Sequence, residues 1–402
     1  MKEVLIKEYN NLTRTPLKSN FPQNSFTINF VKGAQLEIQG KLDKKYKVQF
    51  INQKNNKIVH EGEIKNNMWS KTSTEYFVDY NVKVIDLDEN KVVFTHDFKA
   101  ENKKVYIHFA SKSLGDTIAW FPYAEEFRKL HKCELVVSTF HNEMFEKNYP
   151  NIKFINPGET QYNLYAMYEI GWHYDEKGNI NYNYNISDFR KYGLQKCSYE
   201  NLGIEEKEIK PNLTFKNTGP TIEGDYVVIA PHGSSHAKYW NRPGGWQSVI
   251  DYLNDSGYKV VMITQEPLGD EWHDSKLGGT LTGVIDKTGD HPLSERANDM
   301  MNAKAFIGIG SGLSWLAWAL NAPVVMISGF SEAYSEFKDC ERVSTPPNNC
   351  TGCFNRVRLD PGDWGWCPDH KDTDRMFECT KSISSHEVIS AIHRQLVKPL
   401  NK

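Results

Sequence analysis

A chain of 402 residues is longer than one hydrophobic core usually organises, so two or three domains are expected. With 39% apolar and 25% charged residues it has the balance of a globular protein, which excludes a disordered chain. A formal net charge of -3 gives no general attraction to nucleic acid or anionic lipid, so neither is an expected partner. Residues 1–10 mix Lys2, Glu3, Lys7 and Glu8 with apolar side chains and lack the unbroken apolar stretch of a secretory signal. No apolar run approaches the roughly 20 residues of a membrane-spanning helix, so a cytoplasmic protein without a membrane span is expected.

Residues 1–100 hold short alternating segments at 26–31, 35–38, 46–51, 82–85 and 91–94, separated by polar turns. They predict an N-terminal antiparallel β domain, a small sandwich or barrel serving folding or docking. The texture changes at Val105. Residues 105–109 read as a buried strand, Ser113-Leu114-Gly115-Asp116-Thr117 as a loop opening a helix, and 135–137 and 152–155 as further strands. This alternation predicts a parallel sheet covered by helices, a first Rossmann-like half over residues 101–217. Within it, residues 171–184 predict a protruding hairpin with Gly178-Asn179 at its turn. A second α/β half, residues 218–335, runs as strand 225–230, helix 246–254, strand 259–263, strand 282–286, helix 293–301, strand 305–309, helix 313–320 and strand 324–327. A cysteine-rich segment, 336–382, and a C-terminal helix, 383–402, complete the chain. Two such halves predict a cleft in which ligand binds at the C-terminal ends of the parallel strands.

Three motifs lie at those strand ends. Gly310-Ser311-Gly312-Leu313-Ser314 follows a strand and opens a helix, where glycines admit an anion to the backbone and free amides point at it. His232-Gly233-Ser234-Ser235 ends another strand, with Lys238 just beyond; an ammonium there stabilises the charge that builds on a departing diphosphate. Gly115-Asp116-Thr117 belongs to the first half, and Asp116 is the acidic residue best placed to take a proton from an attacking hydroxyl. An N-cap aspartate is the structural alternative, and His108, His232 and His236 are rival bases.

Cysteine use is uneven: Cys133 and Cys197 stand apart, while Cys340, Cys350, Cys353, Cys367 and Cys379 crowd one segment. A close pair, Cys350 and Cys353, with Cys367 and Cys379 further on, has the pattern of a closed tetrahedral zinc or single-iron site. Such a site staples a short polar segment and leaves no open position for catalysis.

At these residues the chain resembles the bacterial autotransporter heptosyltransferases, relatives of the lipopolysaccharide heptosyltransferases of GT-B fold. The resemblance runs through Ser113-Leu114-Gly115-Asp116-Thr117, Lys238-Tyr239-Trp240-Asn241, Ile263-Thr264-Gln265-Glu266-Pro267, Gly310-Ser311-Gly312-Leu313-Ser314-Trp315 and the cysteine segment from Cys350-Thr351-Gly352-Cys353 to Glu378-Cys379-Thr380. It implies a GT-B glycosyltransferase with an N-terminal β-barrel, a hairpin thumb and an iron-binding finger. It also implies transfer of heptose from ADP-heptose to serine hydroxyls of an autotransporter passenger, with Asp116 as base and Lys238 on the donor. Gly115, Thr117, Gly233, Ser234, Thr264, Glu266 and residues 310–314 would contact the donor; Cys350, Cys353, Cys367 and Cys379 would hold iron rather than zinc. Large ring-shaped homo-oligomers using finger and thumb are implied too. The chain departs from the lipopolysaccharide relatives in the 310–315 turn, where Ser311 and Trp315 replace an acidic residue and a histidine. The rival readings are a sugar-nucleotide epimerase, which turns over without acceptor, a non-catalytic sugar-nucleotide scaffold indifferent to Asp116→Ala, and a zinc-ribbon nucleic-acid binder, disfavoured by the acidic residues of the finger.

Overall fold

The computed structural model describes residues 23–397, so the reading of residues 1–10 and the last residues of the expected C-terminal helix lie outside the described residues. The chain divides into two compact units. One holds residues through Lys112, Trp120–Asp188 and Lys196–Lys207; the other holds Ser113–Ala119, Phe189–Gln195 and residues from Glu208 onward.

The first unit contains β1 (Ser25–Val31), β2 (Gln35–Gln39), β3 (Lys45–Asn52), β4 (Lys57–Lys65), β5 (Met68–Lys71), β6 (Tyr80–Asp86), β7 (Lys91–Asp97), β8 (Lys104–Phe109), most of α1 (Leu114–His131), β9 (Glu134–Ser138), β10 (Ile152–Phe154), β11 (Ala166–Ile170) and α2 (Lys196–Asn201). The expected N-terminal barrel is instead divided between two sheets. Strands β3, β4, β6 and β7 form an antiparallel sheet in the order β4-β3-β6-β7, whereas β1, β2 and β5 extend a seven-stranded sheet ordered β10-β9-β8-β11-β1-β2-β5. The reason is the register of β1. It pairs antiparallel with β2 but parallel with β11, Phe30 facing Ala166, so its far edge is taken by the Rossmann-like strands. Period-two burial, as at Tyr46, Val48 and Phe50, reports a half-buried strand and not its neighbour. The expected hairpin arm is reduced to a single bridge between Tyr174 and Ile180. Its turn begins earlier than expected, because Asp175 Oδ1 accepts from the amides of Lys177 and Asn179 at 2.9 and 2.8 Å.

The second unit contains β12 (Tyr226–Ala230), α3 (Gly245–Asp255), β13 (Lys259–Met262), α4 (Glu271–Leu277), β14 (Ile285–Asp286), α5 (Leu293–Asn302), β15 (Phe306–Ile309), α6 (Gly312–Ala319), β16 (Val324–Ser328), β17 (Glu341–Ser344), α7 (Cys353–Arg356), α8 (Glu378–Lys381) and α9 (Ser385–Val397). Its six strands are all parallel in the order β14-β13-β12-β15-β16-β17. Strands covered on both faces read as unbroken apolar runs, and every residue of β12 and β16 is buried. The C-terminal helix α9 packs Val388, Ala391 and Ile392 into this core beside Trp246 and Val249 of α3. The strand order reverses direction between β12 and β15, and a crevice at that switch point is where such sheets bind ligands.

Candidate active site

Beyond β12 the chain turns through Pro231-His232-Gly233-Ser234-Ser235 into a 3-10 turn, His236–Lys238, at the switch point. Lys238 Nζ donates to Ser234 Oγ at 3.1 Å and lies 5.7 Å over the Phe330 ring. Burial draws its pKa below the ordinary lysine range, while the carboxylates of Asp116 and Glu336 oppose that shift. Asp116, buried at 9% exposure, lies in the first turn of α1, which belongs to the same unit as Lys238. The Asp116 amide points to Ser113 Oγ at 3.4 Å, so Ser113 and not Asp116 stands at the N-cap. Thr117, expected at the donor, is fully buried, with its hydroxyl donating to the Ser113 carbonyl at 3.0 Å.

Beyond β15, Ser311 is extended and opens α6, and its buried hydroxyl has no partner among the described residues. Gly312 and Gly115 let two helix starts meet. A Cβ on Gly312 would stand 2.9 Å from Leu114 Cβ and 3.1 Å from the Gly115 nitrogen, and one on Gly115 would stand 3.1 Å from the Trp315 ring. Leu313 is half-buried; Ser314 is fully buried and donates to the Ile309 carbonyl at 2.6 Å, a strand-to-helix fastening. Gly310 has its own neighbour: a Cβ there would come within 2.8 Å of Glu336 Oε1. Glu336 was not anticipated. Its side chain is 8% exposed and pairs with Arg342 at 2.9 Å, accepts from Ser331, and is held above the usual carboxylate range by burial.

At the end of β13, buried Thr264 donates to the Glu266 carbonyl at 3.0 Å and meets His232 Nδ1 at 3.2 Å. His232 lies 3.9 Å from Glu266 Oε2. Burial pushes both His232 and His236 down to about 4, so near neutral pH both rings are uncharged. The remaining rival, His108, lies in the first unit beside Glu169, at 3.5 Å. Arg296, also not anticipated, reaches from α5 to donate to the Thr264 carbonyl at 3.0 Å and to the Gly289 carbonyl. Its Nε is buried without a partner among the described residues, and the Glu266 carboxylate is among the charges that favour its cation. Lys238, Ser311, Glu266 and Arg296 thus give the strand ends groups suited to a diphosphate and a ribose.

The cysteine segment belongs to the same unit. The ligand atoms of Cys350, Cys353 and Asp369 lie within 4.8 Å of one another. Cys353, Cys367, Trp366 and Phe377 share one core with Ala237 and Phe330. Burial, with Cys353 and Cys350 as neighbours, pushes the Cys379 thiol up to about 12, and burial does the same to Cys350. A cation at such a cluster offsets that cost by binding thiolates, so the donor set suits a soft or borderline metal. Asp369 was not expected among these atoms. It accepts from Arg356, whose guanidinium also stands 3.7 Å from Cys353 Sγ.

Residues 186–337 match the model of glycosyltransferase family 9 (heptosyltransferase). The autotransporter heptosyltransferase BAHTCr of Citrobacter rodentium is 37% identical over 348 residues, covering 84% of this chain and 82% of that protein. Autotransporter heptosyltransferase TibC of Escherichia coli O78:H11 is 37% identical over 341 residues, covering 82% of this chain and 81% of its own. The crystal structure of TibC, an iron-containing dodecameric glycosyltransferase, superposes with a TM-score of 0.82 over 94% of this chain and 98% of its own, at 32% identity. TibC has also been crystallised with ADP-D-beta-D-heptose. With most of its length aligned at this level of identity, and with its switch-point residues falling inside the matched family segment, the chain belongs to the autotransporter heptosyltransferases of glycosyltransferase family 9.

Proposed function

We propose that this glycosyltransferase moves heptose from ADP-heptose to serine hydroxyls of an autotransporter passenger, with inversion at the anomeric carbon. The observation that carries the reading is Lys238, a half-buried lysine at the β12–β15 switch point with the Asp116 and Glu336 carboxylates near it. In the reaction the serine oxygen forms a bond to the anomeric carbon as the bond from that carbon to the β-phosphate oxygen breaks. ADP leaves with the electron pair, and Asp116 takes the serine proton. Lys238 stabilises the charge developing on the leaving diphosphate, where it counts more than in bulk water. Gly310, Ser311, Gly312 and Leu313 would bring the start of α6 to the phosphates, with Gly233 and Ser234 opposite, Gly115 admitting the close approach, and Thr264 and Glu266 toward the ribose.

The cysteine segment is assigned a resident metal, iron as in TibC, held by Cys350, Cys353, Cys367 and Cys379, with the role of a staple. Ring-shaped homo-oligomers and a cytoplasmic location complete the reading; no helix of the described residues is long and apolar enough to cross a membrane.

The test is intact-mass measurement of a serine-rich passenger fragment incubated with the protein and ADP-heptose. Increments of one heptose are expected, and Asp116→Asn should lower the rate by on the order of a hundredfold or more while still binding ADP. Equal rates in that variant would remove Asp116 as base. ADP-heptose turnover without acceptor would instead favour an epimerase.

A further inference from the structure

Lys238 lies against a ring, Phe330, that itself rests on the cysteine segment. Its Nζ stands over the ring of Phe330, whose other aromatic neighbours are Phe354, at 5.4 Å, and Trp366, at 5.8 Å. Ala237, next to Lys238 in the chain, lies in the same small core as Phe330, Cys353, Trp366, Cys367 and Phe377. On the other flank, Asn241 Nδ2 donates to the carbonyls of His236 and Tyr239, at 3.1 and 2.8 Å, and to Thr380 Oγ1 at 3.0 Å. The backbone of the Phe330 loop is fixed from the same side, by the Gly352 amide on the Gly329 carbonyl at 3.1 Å and the Phe354 amide on the Phe330 carbonyl at 3.2 Å. Phe354, Trp366 and Thr380 are each the chain neighbour of a cysteine: Cys353, Cys367 and Cys379. Beyond β17, the segment's regular structure amounts to α7 and α8, each 4 residues long, too short to persist without cross-links.

We propose that Phe330 is a positioning residue through which the metal-bound cysteine segment fixes the Lys238 ammonium, so that metal occupancy sets the affinity for a nucleoside diphosphate. The inference rests on the assignment of Lys238 to the donor. It changes the expected effect of metal loss: a site with no open coordination position still acts on the reaction, by carrying the wall against which the lysine rests. A ring with its face to an ammonium contributes directionally, and a branched aliphatic side chain of similar bulk does not replace it.

The experiment uses the full chain and ADP as probe, with affinity from calorimetry and metal content from elemental analysis of each sample. Compared with the metal-loaded wild type, chelator-stripped protein and metal-loaded Phe330→Leu should both bind ADP about tenfold more weakly, and Phe330→Tyr, which keeps the ring, should bind within about twofold. In a Lys238→Met background, stripping the metal should leave the residual ADP affinity unchanged, because the group that transmits the effect is gone. Equal ADP affinity of stripped and loaded wild type, or of loaded Phe330→Leu and wild type, would overturn the inference alone. Failure of the loaded wild type to bind ADP would overturn the donor assignment, and the inference with it.

Discussion

Burial lowers the pKa of Lys238, and the two carboxylates that oppose this shift sit on different parts of the chain. Asp116 is on α1, and Glu336 follows β16, pressed against Gly310. A glycine at position 310 is what the Glu336 carboxylate requires, since any side chain there would meet its oxygen. Glu336→Gln removes one of the two charges that raise the Lys238 pKa and keeps nearly the same volume. In the proposed role of Lys238 the ammonium is the active form, so the alkaline limb of the pH profile of kcat/KM should move to lower pH in Glu336→Gln, with little change on the acid side. An unmoved alkaline limb would detach Glu336 from Lys238. At this scale the sequence singled out Asp116 and Lys238 as candidates because each follows a recognisable strand-and-glycine pattern. Glu336 and Arg296 carry no such mark: one is a charged residue in an irregular loop, the other a basic residue on an amphipathic helix, and only the tertiary fold brings them to the strand ends. Thr117 and Ser314 also stand inside motifs, and their hydroxyls bond to backbone carbonyls at helix starts.

Helix starts and the metal segment are the elements whose placement matters most. Gly312 allows α6 to begin in contact with the first turn of α1, so Gly312→Ala drives a methyl into Leu114 and the Gly115 nitrogen. Overpacking of this kind costs about 1–3 kcal/mol. The variant should melt at lower temperature and lose kcat more than ADP affinity, because Asp116 sits on the turn that is displaced; thermal denaturation and steady-state kinetics check both, and an unchanged melting temperature would show that the contact relaxes freely. In the cysteine segment, spacing alone brought out the thiols but not Asp369, which comes from an irregular stretch and approaches Cys350 to 3.6 Å. With four thiolates as ligands, Cys367→Ser should lose most of its metal, while Asp369→Asn, deprived only of its pairing with Arg356, should retain it. Elemental analysis of the two purified variants decides: metal lost from Asp369→Asn and kept in Cys367→Ser would place the carboxylate in the ligand set.

For the molecule as a whole, the second half was legible almost strand by strand, since doubly covered parallel strands such as Val324–Ser328 are continuous apolar runs between clear helices. The first unit was less so. β11 escaped notice because a polar residue, Glu169, interrupts a short strand lying between β8 and β1, and without β11 the strands of residues 1–100 look self-contained. They are not. Phe30, 3% exposed on β1, packs on Tyr165 at 5.1 Å, and its amide donates to the Tyr165 carbonyl at 2.7 Å. Cutting the chain after residue 100 therefore strips one edge of β1 and uncovers aromatic surface that the β3-β4-β6-β7 sheet cannot close over. Residues 1–100 expressed alone should show no sharp thermal transition and should expose apolar surface to a hydrophobic dye, whereas residues 1–217 should supply β8 and β11 and melt cooperatively. A sharp transition in the shorter fragment would restore an independent N-terminal domain and reduce the β1–β11 pairing to a docking contact.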